Sequence, residues 1–372
     1  SRTLQIEELV EKVYPLNSAT EAYKELENLE DKPIIALFEY PVGSLSPSAR
    51  EEVERYTPLN KSIFNVALVG AGNFASAVHL PNLALLKDMY NIYAICDINP
   101  LNAKEVATQY AAQIATTDYR EILSDSKIDL VIVCTRHDLH AEYAIQALNA
   151  GKAVFVEKPM AINQNELDKL VKVVRRAKIP FMVGFNRRFS PLAIKIKENI
   201  QNRTNPMIIS YRMNAGYVPI DGWVHKNGGR IIGEGCHIID LFNYFTESNI
   251  QTVSVDKISP NTGAILSSDN VSINLKYQDG SVGNFVYTAL GNSRYPKEIL
   301  ELYCDNNVYR MTDYLELDII GNKSTKLSLK KPDKGYAAEL IEFYDTLTGK
   351  SKRAPIDLDS MIQTTKTTFL IE

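Results

Sequence analysis

The chain has 372 residues, of which 45% are hydrophobic, and its formal net charge is −4 at pH 7. Because this length exceeds what one ordinary hydrophobic core accommodates, we expect two or more domains. The slightly acidic balance gives no electrostatic reason to bind nucleic acid or an anionic membrane. No run approaches the roughly 18 consecutive apolar residues of a membrane span, and the first residues lack the apolar core of a signal peptide.

The N-terminal segment, residues 1–40, is expected to lie outside the main domains. Ser18 and Glu21 have the spacing of a capping box, which predicts a helix over residues 19–29. Residues 34–40 have the composition of a short strand. Residues 41–61 are rich in proline, serine and charged residues, which predicts a linker.

A buried strand then ends in a glycine turn that opens a helix, predicted over residues 74–86. Gly70 permits the tight turn, and Gly72 lets the backbone approach a pyrophosphate without an intervening side chain. The free N–H groups of the new helix face the phosphates. The pattern therefore predicts a dinucleotide site formed by Gly70, Gly72, Asn73 and Phe74; a turn without a ligand is the alternative.

The next apolar run, residues 92–96, ends at Asp97. An acid roughly 20 residues beyond the glycines is placed to bind both ribose hydroxyls of an adenosine and to repel a 2′-phosphate. The sequence thus favours NAD over NADP as the cofactor. Alternatively, Asp97 only forms the turn before Asn99 and Pro100.

Two more apolar strands, residues 128–134 and 153–156, alternate with helices, which predicts a parallel sheet covered on both faces. The carboxyl ends of such strands meet at one edge, where ligands bind. We therefore expect Gly70, Asp97 and Thr135 to converge there with Lys158.

The four cysteines are far apart and form no C-x-x-C pair; they are Cys96, Cys134, Cys236 and Cys304. Reduced, buried thiols in a cytoplasmic protein are the expectation, with neither a disulfide framework nor a metal site.

The second half of the chain predicts a mostly antiparallel sheet with helices on one face. Strand composition occurs in residues 207–213, 253–258, 271–277, 282–288, 298–304 and 314–320. Asp279-Gly280 and Asn306-Asn307 predict hairpins. The expected fold is α/β: a Rossmann dinucleotide-binding domain over residues 62–184, then an α+β domain with a large open sheet over residues 185–372. The uncovered face predicts self-association as a homodimer or homotetramer.

Several motifs occur together and in this order along the chain: Gly70-x-Gly72-x-x-Ala75, Thr135 to His140, Gly151-Lys152, Glu157-Lys158-Pro159, Gly184 to Phe189, Gly228-Gly229, and His237-x-x-Asp240. The set resembles the glucose–fructose oxidoreductase and inositol dehydrogenase family, called Gfo/Idh/MocA. The resemblance implies that NAD oxidises a carbon of a sugar or cyclitol between the two domains. Residues 9–23 resemble the C-terminal tail of medium-chain zinc alcohol dehydrogenases, which implies that an upstream domain is mostly absent.

Hydride removal from a secondary alcohol requires a proton acceptor and a positive group near the oxygen. Lys158, beside Glu157 at a strand end, fits the second role, and the resemblance also implies contact with the nicotinamide ribose; a surface pair with Glu157 is the alternative. His237 is the candidate base, with a structural histidine bonded to Asp240 as the alternative.

The chain departs from the inositol-type members four positions before this histidine, where Gly233 replaces an aspartate. Glu234 either supplies the missing carboxylate or caps the helix that begins near Gly235. The proton relay therefore remains open between these two interpretations.

Other polar and aromatic residues are candidates for ligand contacts. Arg187 and Arg188 either bind an anionic sugar or form ion pairs between domains. Tyr217 and Trp223 are candidates for stacking on a sugar ring. His137 and His140, on the cofactor-side turn, either contact the nicotinamide ribose or substrate, or only stabilise the turn.

The function that these observations predict is NAD-dependent oxidation of a secondary hydroxyl in a sugar, nucleotide-sugar or cyclitol. A redox-neutral epimerase or glycosidase that recycles its nicotinamide is an alternative. A non-catalytic sensor of NAD and sugar is another, because Gly233 lacks the carboxylate.

Overall fold

The computed structural model describes residues 10–15, 19–28, 33, 35–39, 56–59, 61–351 and 353–372. They divide into two compact units, residues 1–53 and 54–372. In the first unit, strands β1 (Val10–Pro15) and β2 (Ile35–Glu39) pair in parallel, and helix α1 (Ala19–Asn28) lies between them in the chain. The predicted helix and second strand are confirmed. Ser18 of the capping box and most of the linker lie outside the described residues.

Six parallel strands form the first sheet of the second unit: β3 (Phe64–Val69), β4 (Tyr90–Cys96), β5 (Ile114–Thr116), β6 (Leu130–Val133), β7 (Ala153–Val156) and β8 (Phe181–Val183). Five helices accompany them: α2 (Leu80–Leu85), α3 (Pro100–Gln109), α4 (Tyr119–Ser124), α5 (His140–Asn149) and α6 (Gln164–Ala177). The central strands are buried along their whole length because helices cover both faces, as their continuous apolar runs predict.

The strand order β5-β4-β3-β6-β7-β8 reverses direction between β3 and β6. Such a reversal opens a crevice at the carboxyl ends of the strands, where ligands of doubly wound sheets bind. Residues 70, 97, 135 and 158 all follow these strands at that edge. The predicted parallel sheet and its convergent edge are confirmed.

The second sheet has eight strands: β9 (Ile208–Asn214), β10 (Ile250–Lys257), β11 (Asn270–Tyr277), β12 (Val282–Thr288), β13 (Glu298–Cys304), β14 (Asn307–Thr312), β15 (Glu316–Ile320) and β16 (Thr325–Ser328). Its order is β10-β11-β12-β9-β13-β14-β15-β16, and only β9 and β12 pair in parallel. The predicted mostly antiparallel open sheet is confirmed. Three helices precede or interrupt it: α7 (Pro191–Ile200), α8 (Trp223–Lys226) and α9 (Cys236–Thr246).

One face of this sheet packs against α7 and α9. Along β9, Tyr211 and its inward neighbours are buried, and the Tyr211 ring meets Phe242 of α9 edge-on at 6.4 Å between ring centres. The alternate positions point outward. Ile208 of β9 is 58% exposed, and Tyr303, which pairs with it from β13, is 43% exposed. The period of two thus divides a buried face from an open one.

The sequence analysis missed β14 and β16, and it misplaced one turn. Gly280 has a φ of +90°, as its hairpin requires, but the next hairpin has positive φ at Asp305 and Asn306 rather than at Asn306 and Asn307. Aspartate tolerates the left-handed region nearly as well as asparagine, so composition alone did not distinguish the two registers.

The C-terminal helices α10 (Tyr336–Leu347) and α11 (Leu358–Ile371) differ from expectation in where they pack. Phe343 of α10 and Met361 of α11 are fully buried in the core of the first sheet, whereas Ile371 packs into the core of the second. We had assigned residues 185–372 to the second domain. An apolar helix face predicts that a helix is covered, but not which sheet covers it.

Candidate active site

The glycine turn after β3 begins the site. Gly70 has a φ of +87°, and a Cβ there would lie 2.7 Å from the carbonyl oxygen of Cys134. Its N–H donates to the carbonyl of Cys96 at 2.8 Å. Gly72 differs, because it has no positive φ and no described atom lies within 4 Å of its would-be Cβ. No described residue therefore requires glycine at position 72.

Asp97 lies at the end of β4 beside this turn. Its Oδ2 accepts a hydrogen bond from the N–H of Ala71 at 2.8 Å, and its Oδ1 accepts one from the N–H of Asn99 at 2.9 Å. Each oxygen keeps a further lone pair for another donor. Asp97 therefore stabilises the turn at Asn99, as the alternative predicted, and its carboxylate also binds the glycine turn at Ala71.

Asn73 and Phe74 follow the glycines at the start of the helical segment, and both are exposed. The Phe74 ring contacts the rings of His79 and Tyr336 edge-on. The ammonium of Lys158 lies 6.0 Å from the centre of the Phe74 ring. Phe74 thus connects the glycine turn to the end of β7.

Lys158 is half-buried at the end of β7, and its Nζ donates to the carbonyl oxygen of Gly233 at 3.1 Å. This contact joins the edge of the first sheet to the segment that leads into α9. Glu157 makes no ion pair with Lys158. Glu157 Oε1 lies 2.6 Å from Nε2 of His79, and its Oε2 accepts the N–H of Lys158 at 3.2 Å.

Glu157 is only 5% exposed, and its Oε1 would lie 2.9 Å from a Cβ at Gly184. Burial raises the pKa of the Glu157 carboxyl, but the hydrogen bond with His79 together with nearby positive charge, including that of Lys158, lowers it below the usual value. We had counted Glu157 among cofactor-binding residues. Its carboxylate is instead committed inside the fold, where it holds the backbone of Lys158.

His237 lies in the first turn of α9 and is buried. Burial, followed by the positive charges of Arg187 and Lys158, holds the pKa of its imidazole well below the usual value. Its Nδ1 has no hydrogen-bond partner in the described part of the chain. The ring is therefore neutral near pH 7, and it is not bonded to Asp240 as the structural alternative required.

Glu234 does not cap α9, because Gly235 occupies the cap position and no side chain bonds there. Its Oε2 accepts from the Tyr287 hydroxyl at 2.5 Å, and its Oε1 pairs with Lys297 at 2.7 Å. Burial alone would raise the pKa of this carboxyl, but the charge of Lys297 and these hydrogen bonds lower it to about 2. Both carboxylate oxygens are already bound by these donors, so the geometry does not favour Glu234 as the base.

Both arginines after β8 form buried ion pairs. Arg187 Nη2 lies 3.1 Å from Glu298 Oε1, and Arg188 binds both carboxylate oxygens of Asp240, the shorter contact being 2.5 Å. Arg188 is 7% exposed. The sequence predicts Arg188 as a substrate-binding residue. Its guanidinium group is already bound to the Asp240 carboxylate, so the structure favours the alternative, an ion pair.

The turn after β6 carries Thr135, His137 and His140. Nδ1 of His140 lies 2.8 Å from the carbonyl of Pro159, and its Nε2 lies 3.0 Å from that of Thr135. His140 therefore stabilises the turn and is not free to contact a ribose. His137 lies against Gly233, in the segment that leads into α9, and its ring meets Trp223 edge-on at 5.0 Å between centres.

Trp223, at the start of α8, is 48% exposed beside His137. Tyr217 is 60% exposed, and it lines a shallow recess with Leu266 and Leu290. The structure thus brings Trp223 beside His137, and it places Tyr217 next to Gly216, whose carbonyl accepts a hydrogen bond from Arg230. Stacking of Tyr217 on a sugar ring stays a prediction.

Comparisons with known proteins agree with this arrangement. The model of the oxidoreductase family with an NAD-binding Rossmann fold, GFO_IDH_MocA, matches residues 64–185. The chain is 32% identical over 227 residues to 4-carboxy-2-hydroxymuconate-6-semialdehyde dehydrogenase of Sphingobium sp., a match that covers 58% of this chain and 69% of that enzyme. The chain belongs to the Gfo/Idh/MocA family.

Another member of the family, the myo-inositol 2-dehydrogenase of Thermotoga maritima, is 26% identical over 223 residues, which are 59% of this chain. The chain spans 66% of that relative's length, just under two thirds. A solved levoglucosan dehydrogenase in complex with NADH superimposes with a TM-score of 0.71 at 22% identity, covering 83% of this chain and 96% of that one. At this identity the likeness shows the shared fold.

The residues present fit the family's cofactor. Gly72 is the decisive position, because no residue in the described part of the chain explains its open space and a bound pyrophosphate would account for it. Asp97 offers unused carboxylate lone pairs beside it. Among the described residues, no cluster of histidine, cysteine, aspartate and glutamate has the geometry of a metal site, and no helix is long and apolar enough to cross a membrane.

The sequence analysis missed several groups that shape the site. His79 holds Glu157, while Tyr287 and Lys297 hold Glu234. Arg230 joins that second group, since its Nη2 lies 3.4 Å from Glu234 Oε2. Of these, only Arg230 carried a sequence signal, because it directly follows the Gly228-Gly229 motif. The others come from distant segments that no local pattern connects: His79 from the helical segment after the glycine turn, Tyr287 from β12, and Lys297 from just before β13.

Proposed function

We propose that the protein is an NAD-dependent dehydrogenase that oxidises a secondary hydroxyl of a sugar, nucleotide-sugar or cyclitol. The observation that carries the proposal is the position of Lys158. Its ammonium lies at the carboxyl edge of the Rossmann sheet, 6.0 Å from the Phe74 ring and 3.1 Å from the Gly233 carbonyl. It is therefore near both the nucleotide turn and the segment leading to α9.

NAD supplies the acceptor for the hydride. The protein must then lower the cost of charge on the alcohol oxygen and take up its proton. Lys158 supplies a positive charge whose described hydrogen bond is to a carbonyl rather than to a carboxylate. We assign it to the substrate oxygen and the nicotinamide ribose.

His237 is the proposed proton acceptor. Its imidazole is neutral because burial and nearby cations lower its pKa, and its Nδ1 is unpartnered among the described residues. Glu234 is not retained as a second base; its role is to orient Tyr287 and Lys297 along the same segment. The proton relay we propose therefore needs no carboxylate at Gly233.

The direct test is to mix purified protein and NAD with inositols, free sugars and nucleotide-sugars, and to follow the absorbance of reduced nicotinamide. We expect at least one compound to reduce NAD in the wild type and in Lys172→Ala, an exposed control on α6, but not in Lys158→Ala. If no compound does so while NADH binding is measurable by fluorescence, the protein is a sensor rather than a dehydrogenase.

Further parts of the proposal concern the whole protein. We propose that it acts in the cytoplasm as a homodimer or homotetramer formed through the open face of the second sheet, where Ile208 and Tyr303 are exposed. We keep residues 62–184 as the cofactor domain and residues 185–372 as the substrate domain, with α10 and α11 returning to the first core. Residues 1–40 are proposed to derive from an alcohol-dehydrogenase-like domain, which the genomic sequence upstream would test.

A further inference from the structure

The imidazole of His137 lies directly against Gly233. A Cβ at Gly233 would come within 2.6 Å of the His137 Cε1 atom, which is closer than real side chains approach. The backbone at Gly233 has no positive φ, so its conformation does not require glycine. The neighbouring ring therefore explains why this position carries no side chain.

His137 has one defined tautomer. Its Nδ1 lies 3.2 Å from the carbonyl oxygen of Asn227, and a carbonyl only accepts, so Nδ1 carries the hydrogen. Burial, Lys158 and His140 lower the pKa of the ring to about 3, which keeps it neutral. Nε2 is then an acceptor, and it has no hydrogen-bond partner within the described ranges.

The neighbours of His137 give this acceptor a context. Lys158 and His137 meet the same residue, because Lys158 donates to the Gly233 carbonyl while the His137 ring covers the Gly233 Cα. Trp223 contacts the ring edge-on and remains half exposed, so it offers an aromatic surface beside the acceptor. A cation, a neutral acceptor and an aromatic surface are thus adjacent.

We propose that His137 determines substrate specificity: its Nε2 accepts a hydrogen bond from a substrate hydroxyl next to the one at Lys158, and Gly233 leaves space for its ring. A neutral imidazole with a free lone pair selects a donor such as a hydroxyl rather than a carboxylate or phosphate. The preferred substrate class is therefore a vicinal diol, as in a cyclitol or pyranose. This inference rests on the proposed dehydrogenase function and names the substrate feature that its site recognises.

The first experiment compares His137→Ala and His137→Gln with the wild type, using the compound from the panel that reduces NAD fastest. We expect His137→Ala to raise KM about tenfold, with kcat changed by less than about threefold, because a lost hydroxyl contact weakens binding. His137→Gln retains an acceptor oxygen and should recover part of the loss. The Kd for NADH should stay within about twofold, and the pH profile of kcat should not move. An unchanged KM, or a loss of NADH affinity equal to the rise in KM, would overturn the inference.

A second experiment uses the contact with Gly233. Gly233→Ala should displace the ring and raise KM as His137→Ala does, but it should add nothing in the His137→Ala background. Gly235→Ala is the matched control, since the nearest atoms to a Cβ there belong to the Ile231 side chain, the closest at 3.2 Å. If Gly233→Ala still raises KM in the His137→Ala background, the added methyl group acts by displacing the Gly233 carbonyl that binds Lys158, and the inference is wrong.

A measurement that needs no turnover separates this inference from the proposed function. The side-chain ¹⁵N signals of His137 are recorded with NADH present, before and after addition of myo-inositol. We expect the Nε2 signal to shift while Nδ1 remains protonated, even if NAD is never reduced. A protein that reduces NAD with a panel compound but shows no change at Nε2 with that compound would refute the inference and leave the dehydrogenase intact.

Discussion

Two glycines of the same turn should respond in opposite ways to one added methyl group. Gly72→Ala places that methyl in a space with no described atom within 4 Å, at a residue without positive φ. The folded protein should tolerate it, so the free energy of unfolding should change by less than about 0.5 kcal/mol. Gly70→Ala instead meets the Cys134 carbonyl at 2.7 Å with a φ of +87°.

The magnitudes follow from these contacts. At Gly70, a strained φ costs about 1–3 kcal/mol and a forced backbone contact about 1–3 kcal/mol more. Each kcal/mol lowers Tm by about 2–4 °C in a domain of roughly this size. At Gly72 the added methyl meets a bound pyrophosphate only, and we expect NADH affinity to fall about 10- to 100-fold, or about 1.4–2.8 kcal/mol.

Thermal unfolding without cofactor and NADH fluorescence titration measure the two effects separately. Gly72→Ala should keep the wild-type Tm and lose affinity, whereas Gly70→Ala should lose stability first. Wild-type NADH affinity in a normally folded Gly72→Ala protein would show that the pyrophosphate lies elsewhere, and the cofactor assignment would then be wrong.

Four further results are expected. Lys158→Ala should lower kcat about 100-fold or more, with NADH affinity within a few-fold, because its charge acts on the substrate oxygen; steady-state kinetics checks this. Asp97→Ala should weaken NAD binding and improve use of NADP, measured as the ratio of kcat/KM for the two cofactors. His237→Ala should lower kcat to about the same extent as Lys158→Ala. Because the pKa of His237 is well below its usual value, kcat/KM of the wild type should not fall as the pH is lowered through about 6.5, which a pH-rate series checks. Arg188→Met leaves the buried Asp240 carboxyl without its partner, and should cost about 3–5 kcal/mol in urea unfolding, most of which Asp240→Leu should restore.

The fold was largely predictable because its main signals are local. Continuous apolar runs predicted the buried parallel strands, and the turn residues at Gly70 and Gly280 required positive φ, as observed. The packing of α10 and α11 was not predictable, because an apolar residue such as Phe343 could be buried equally well against either sheet. The short strand β16 lacked the β-branched and aromatic composition that identifies strands.

The site was predicted in outline but not in its pairings. Motif spacing identified Lys158 and His237, because each follows an apolar pattern that places it at a strand end or helix start. It did not reveal that Arg188 would be bound to Asp240, 52 residues away in the chain. Nor did it show that His137 fills the space beside Gly233, which depends on the approach of two segments that are distant in sequence.

A crystal structure of the protein with NAD tests the central claim most directly. We predict that the pyrophosphate lies over Gly70 and Gly72, that the adenosine ribose binds Asp97, and that the nicotinamide ring lies beside Lys158 with the His237 imidazole facing the same cleft. Electron density for NAD away from the glycine turn, or a nicotinamide ring remote from Lys158, would contradict the account.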